Sequence, residues 1–271
     1  MIPRSITISP ADQAAKTGIL LGVETTCLDL QKDEVIELGM VKFDYVADGR
    51  IVGVRDVFAS FNEPSIPIPA EVTSLTGISD EMVAGHRIEA AAVESFVQDS
   101  VIVIAHNAAF DRKFAERFWA VFEHKAWGCS ATEVEWRHHG FAGAQLGYLL
   151  NGAGFFHHAH RAVDDCHALV EILSVELPSA GAPALAALLE QARKKTVRIV
   201  GRTVAVRSDV LKRRGYRWSD GSDGRPRSWY IDVSEADVDV EIAFLKSEIY
   251  LREITPRLQT LTAFTRFSAR T

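Results

Sequence analysis

At 271 residues, 47% of them apolar, the chain has material for one large core and a smaller second unit, within the range of soluble globular proteins. No apolar run approaches the roughly 20 residues that cross a bilayer, residues 1–18 lack the apolar heart of a signal peptide, and three scattered cysteines, Cys27, Cys129 and Cys166, argue against a disulfide framework and fit a reducing cytoplasm. Net charge is −6 but uneven: residues 190–271 carry 17 Lys and Arg against 11 Asp and Glu, while the first 189 carry 13 against 25, so any polyanion binding is helped by the C-terminal part.

Residues 1–17 read as a leader. The apolar run from Ile19 predicts a buried strand to Glu24, closed by the polar tip Glu24-Thr25-Thr26. Glu34 to Tyr45 and Ile51 to Phe61, around the turn Ala47-Asp48-Gly49, predict a hairpin. An extended Pro-rich stretch (Pro64–Pro69) precedes a short helix, Ala70–Leu75, stopped by Gly77. Ile88–Gln98 reads as helix and Val101–Ala105 as a buried strand leading into His106-Asn107, with Asn107 as N-cap of a helix from Ala108 to Phe122. Trp127–Ser130 reads as a strand, Ser130 as the cap of a helix to His138, Gln145–Leu150 as a helix, and Ala162–Leu177 as a long helix with Asp165 in its first turn.

Pro178–Pro183 reads as a linker. Beyond it the pattern predicts helix Ala184–Lys195, strand Val197–Val206, a helix Asp209–Arg214 capped by Ser208 and ended by Gly215, and two strands at Tyr216–Trp218 and Trp229–Ile231 around a turn. A capping box of Ser234 and Asp237 opens a helix to Arg252. The domains are therefore 1–17, 18–178, a linker 179–183, and a module 184–271. The class is α/β (α+β), a mixed sheet flanked by helices plus a small basic α+β module.

Glu24, Asp111 and Asp165 stand at a strand end and two helix starts, positions that converge at the carboxyl edge of a sheet. Carboxylates from separate elements suit a cage for Mg²⁺, and His160, entering the helix of Asp165, suits a general base. Asp111 and Asp165 also suit plain helix N-terminal charges. His157 and His158 beside His160 have no partner cluster at zinc spacing, Asp164 points about 100° away from Asp165, and Asp29 carries little weight as a further ligand.

Three stretches in order, Glu24 on the first strand, A-H-N-A-A-F-D (Ala105–Asp111) and H-R-A-V-D-D (His160–Asp165), resemble the DEDDh-type 3′–5′ exonucleases, the superfamily of polymerase III epsilon-like proofreading subunits. L-T-G-I (Leu75–Ile78) recurs in that family too. The resemblance covers roughly residues 18–177 and implies a ribonuclease H-like five-stranded mixed sheet. It implies hydrolysis of phosphodiester bonds at nucleic-acid 3′ ends, single-stranded DNA favoured and RNA possible, with two divalent ions, Mg²⁺ or Mn²⁺. By the same resemblance Glu24, Asp111 and Asp165 hold metal, His160 activates water, Thr25, Thr26, His106, Asn107 and Phe110 serve the substrate, and a polymerase or replication and repair partner is implied. Where the family has its first Asp, this chain has Gly22, so reduced or lost turnover is expected. The alternatives are a nucleic-acid-binding protein on the same fold without catalysis, a 3′ exoribonuclease, and a polymerase-associated structural subunit. From Arg193 to Arg227 stand 12 Lys and Arg against 3 Asp, interleaved with Tyr216 and Trp218. Such a mixture grips single strands, with Lys212, Arg213, Arg214 and Arg217 as accessory contacts, unless the aromatics are the module's own core.

Overall fold

The structure, a computed structural model, describes residues 15–155, 160–201, 207–221 and 226–271. The chain divides into two compact units, the first ending at Ala192 and the second spanning Arg193–Thr271. The leader up to residue 14, His157 and His158, the expected strand tail at 202–206 and the turn residues 222–225 lie outside the described residues.

The first unit is built on β1 (Lys16–Thr25), β2 (Val35–Tyr45) and β3 (Ile51–Phe61), an antiparallel meander. Short helices α1 (Ala70–Thr76), α2 (Asp80–Val83) and α3 (Ala90–Val97) follow. Then come β4 (Ile102–Ala105), α4 (Ala108–Phe118), β5 (Trp127–Cys129), α5 (Leu146–Gly152) and α6 (Ala162–Ser174). β4 and β5 run parallel to β1, giving the order β3-β2-β1-β4-β5. This is a five-stranded mixed sheet flanked by helices, as the resemblance implies.

Every residue of β2 is buried, the charged Glu37, Lys42 and Asp44 included. α6 lies across β1, β2 and β3, and α4 packs on β1, β4 and β5. The main core joins Leu20, Val41 and Phe43 of the sheet to Leu169, Ile172 and Leu173 of α6 and to Trp136. Each fully buried Leu or Ile there contributes about 1.5–3 kcal/mol.

Several boundaries differ from the expectation. The helix from Ala108 ends at Phe118 and passes into a 3-10 turn, Ala120–His124, and Asn107 makes no side-chain cap bond. Ser130 caps no helix: the stretch to His138 is turns, held by Trp136 Nε1 donating to the Ser130 carbonyl (2.6 Å). α6 stops at Ser174, and Glu176–Leu177 (β6) pairs with Ala182–Pro183 (β7), so the expected linker is a small ribbon. α7 (Ala184–Arg193) buries Leu185, Leu188 and Ala192 in the first unit's core rather than in the C-terminal module.

The second unit holds β8 (Thr196–Gly201), α8 (Ser208–Arg213), β9 (Arg217–Ser219), β10 (Ser228–Ser234), α9 (Val238–Phe244) and β11 (Arg257–Leu261). The strands form an antiparallel sheet in the order β11-β8-β10-β9. Ser208 is the first residue of α8, not its cap. The expected helix to Arg252 opens as a 3-10 turn, in which Ser234 Oγ donates to the Asp237 carboxylate (2.6 Å) and accepts no cap bond from a backbone N–H, and it closes as a π-helical turn, Leu245–Tyr250. The strand Arg257–Leu261 was not expected from the sequence.

Candidate active site

β1 is the central strand, and its last residues carry the first part of the site. Gly22 and Glu24 share a face of β1, two residues apart, and stand opposite Gly39 and Glu37 of β2. The register slips between Glu24 and Thr25, a bulge of the kind that re-aims side chains at strand ends. The next two residues serve the turn rather than the cleft: Thr25 Oγ1 donates to the Cys27 carbonyl, and Thr26, fully buried, donates to Asp33 and accepts from the Glu34 N–H. A substrate contact by the Thr26 hydroxyl is therefore not what this arrangement offers. Asp29 likewise serves its own turn, accepting from the Gln31 N–H and pairing with Lys32.

Asp111 enters from α4. Past the end of the β1–β4 ladder at Leu20, the Val23 N–H donates to Asp111 Oδ1 (3.2 Å), which fastens α4 to the tip of β1. His106, at the end of β4, is tied through Nδ1 to Ser130 Oγ (2.8 Å) at the end of β5. Asn107 is exposed, and Phe110 is half-buried against Phe114 with ring centroids 4.9 Å apart.

α6 brings the remaining residues. His160 stands exposed just before the helix with φ 70°, a left-handed conformation uncommon outside glycine. The first helical N–H, that of Ala162, donates to Glu37 Oε2 (3.0 Å), and Arg161 Nη2 donates to Glu37 Oε1 (2.8 Å). A carboxylate on β2 thus caps α6 and holds its entry. The helix comes so close to the sheet that a Cβ on Gly39 would lie 2.4 Å from Val163 N, whereas one on Gly22 would meet the Ala162 carbonyl at 3.3 Å. Asp165 is half-buried, one turn into the helix, and Asp164 is exposed.

The charges converge. Burial, then the neighbouring Asp165, Glu37 and Asp111, push Glu24 up to about 8, with Arg161 acting against them. Burial pushes Asp111 up to about 7 against the Val23 hydrogen bond, with Asp165 adding to the rise. His106 is held down to about 4 by burial, so it is neutral near pH 7. Desolvated carboxylates facing one another, with Arg161 offsetting only part of their mutual repulsion on Glu24, have the charge and the oxygen donors that a hard divalent ion takes. Among the described residues, however, no group of three His, Cys, Asp or Glu side chains stands in ready ligating geometry. The donor chemistry fits a divalent ion, and the set is short by the carboxylate that position 22 does not supply.

In the second unit, Arg213 pairs with Asp209 (3.0 Å), and Arg214 pairs with the buried Glu241 (2.9 Å) over Phe244, so Arg214 supports its own unit. Lys212 and Arg217 are exposed. Tyr216 and Trp229 are buried in the unit's core, and Trp218 is 40% exposed. Sequence reasoning passed over Glu37, Arg161, Gly39 and Ser130. The available signal was Glu37, a carboxylate flanked by Ile36 and Leu38 in a strand, which has to be paired if buried.

The model of the family described as "Exonuclease" matches residues 19–173. A PolC-type DNA polymerase III of Caldanaerobacter subterraneus subsp. tengcongensis is 32% identical over 164 residues, 57% of this chain and 11% of that one. One from Thermotoga maritima is 42% identical over 106 residues, 38% of this chain and 7% of that one. The chain thus spans about a tenth of the length of these relatives. Among solved structures, Exonuclease X in complex with 5′ overhanging duplex DNA aligns with a TM-score of 0.48 and 19% identity, over 64% of this chain and 99% of that one. The nuclease domain of 3'hExo, a DEDDh family member bound to rAMP, aligns with 0.49 and 15%, over 64% and 96%. The matched span holds Glu24, Asp111, His160 and Asp165 and more than half of the chain, which belongs to the exonuclease family.

Proposed function

We propose that this chain is built as a metal-dependent 3′–5′ exonuclease acting on single-stranded or frayed 3′ ends, DNA favoured, and that Gly22 leaves it weakened or silent. The observation that supports the reading is that three motif carboxylates from three elements come near one another: the charges of Asp165 and Asp111 reach Glu24, and that of Asp165 reaches Asp111. Divalent ions, which the family uses, supply charge neutralisation on the phosphate and an acidified water. Glu24, Asp111 and Asp165 would hold one ion. His160, exposed at the lip of α6, would take the proton of the attacking water. Glu37 and Arg161 hold the helix start from which both His160 and Asp165 project. Neutral His106, fixed by Ser130, orients rather than carries a proton.

A protein that binds strands without cutting them is the second reading, favoured by the missing side chain at position 22. The test is a 5′-labelled strand with Mn²⁺ and the Gly22→Asp chain, run beside matched RNA. A ladder that shortens from the 3′ end, with nucleoside monophosphates released, supports the enzyme, and the faster substrate assigns its class. Retained binding with no shortening of either strand favours the second reading. The PolC-type relatives are polymerases, so an association with a polymerase, in the cytoplasm, belongs to the proposal, and co-purification tests it. Among the described residues no helix is long and apolar enough to cross a membrane.

A further inference from the structure

The second unit contains a cavity of about 800 Å³ that none of the motif residues touches. It lies where β8 ends and where β10 and β11 begin, lined by Gly201, Tyr250 and three arginines, Arg227, Arg252 and Arg257. Arg227 Nε donates to the Asp220 carbonyl. Arg252 and Arg257 are exposed, with no hydrogen-bond or ion-pair partner among the described residues. Glu253, the one carboxylate in the lining among the described residues, is paired with Lys246 at 2.6 Å. Among the described residues Arg252 and Arg257 therefore have no anion of their own.

The local backbone is unusual at the same place. The π-helical turn Leu245–Tyr250 is followed by Leu251 at φ 53°, two-thirds exposed, and this break turns the chain from α9 into Arg252. π-turns and left-handed non-glycine residues cost energy and recur at binding sites. Tyr250 stands in the lining beside Pro226 and Pro256, flat surfaces on which a base can lie. The volume is within the range of sites that enclose a small ligand, which here means one or two nucleotides.

We propose that this cavity binds the phosphodiester backbone of a single nucleic-acid strand, with Arg252 and Arg257 as its phosphate contacts. The site differs from the accessory set on and after α8, where Arg213 and Arg214 are engaged with Asp209 and Glu241. The inference rests on the reading of this chain as one that acts on strands. It is measured without metal or turnover, so its failure and the failure of the catalytic reading are separate results.

The experiment measures anisotropy of a labelled twelve-residue oligothymidylate with the full chain in EDTA, across 50–300 mM salt. Replacing both residues, Arg252→Gln with Arg257→Gln, is expected to weaken binding at least tenfold and to reduce the magnitude of the salt slope by about 1.4, two contacts at roughly 0.7 each. Arg252→Lys with Arg257→Lys is expected to keep the slope. Both side chains are exposed, so the thermal midpoint is expected to stay in place. An uncharged methylphosphonate strand is expected to bind poorly to every form. Unchanged affinity and slope in the Gln variant would overturn the proposal, as would thymidine monophosphate competing as well as the strand, since that would make the cavity a mononucleotide site.

Discussion

At the scale of single residues, burial first and like charge second raise the proton affinity of the Glu24 and Asp111 carboxyls. Glu24 keeps its proton in the folded chain between its ordinary 4.5 and about 8, and Asp111 between 3.8 and about 7, whereas both have lost it over that range when unfolded. Folding therefore binds protons, and metal-free stability falls as pH rises through that window. A divalent ion that pairs with the ionised forms is expected to raise the thermal midpoint by several degrees at pH 8.5 and hardly at pH 5.5. Asp111→Asn should raise the metal-free midpoint at pH 8.5 and abolish the metal response, and scanning calorimetry with and without Mn²⁺ checks both. An equal metal effect at the two pH values would count against the cluster. The facing glycines give a second contrast. Gly39→Ala forces a Cβ to within 2.4 Å of α6 and is expected to cost about 1–3 kcal/mol. Gly22→Ala meets the Ala162 carbonyl at 3.3 Å, which a shift of a few tenths of an ångström relieves, and should cost less than Gly39→Ala in denaturant titration.

At the scale of elements, Glu37 is the residue that makes β2 and α6 one device. Its carboxylate caps the Ala162 N–H and grips Arg161 across 124 residues of sequence. Glu37→Ala removes the cap and strands Arg161, so a loss of about 2 kcal/mol is expected, the order of a lost cap plus part of a half-buried pair. Glu37→Gln, which keeps an oxygen for the cap, should cost less in stability yet still lower kcat in the Gly22→Asp background, while leaving KM nearly unchanged. A fall in stability with kcat preserved would make Glu37 a purely structural residue.

The same pair marks how far the elements were legible. β3, bounded by a clear turn and an apolar alternation, has the limits its sequence predicts, Ile51–Phe61. The motif residues too stand at a strand end and at helix starts, because chemistry at a sheet edge leaves a local signature. The expected helix after Ser130 is absent because the Ser130 hydroxyl is spent on His106, and burial of Trp136 needs its ring nitrogen satisfied by the Ser130 carbonyl. Those partners lie on other strands or across turns, and no local pattern announces them. Thr26 is the matching case at the site itself: its hydroxyl reads as a substrate contact, and the fold uses it to close the turn to Asp33 and Glu34.

At the scale of the whole molecule, composition located the acidic and basic parts correctly and misplaced the seam between them. Pro178–Pro183 has the look of a linker, but residues on either side of the turn pair as a ribbon, and the leucines of α7 complete the first core. The seam falls between Ala192 and Arg193, where basic residues begin. Within the second unit the aromatics divide: Tyr216 and Trp229 build the core, Trp218 is 40% exposed, and the exposed Arg252 and Arg257 line a cavity that adjoins a strand the sequence did not reveal.

The central claim is that one missing side chain separates this chain from a working exonuclease. The direct measurement is a time course of 3′-end shortening of a single-stranded oligonucleotide with Mn²⁺. It compares this chain, Gly22→Asp, and Gly22→Asp combined with His160→Ala. The account predicts slow or no shortening by the chain as it stands, a gain of about 100-fold or more with Asp at position 22, the scale of one charge-stabilising group, and loss of that gain when His160 is removed. Rapid shortening by the unaltered chain, or no gain from Gly22→Asp in a folded protein that still binds the strand, would contradict it.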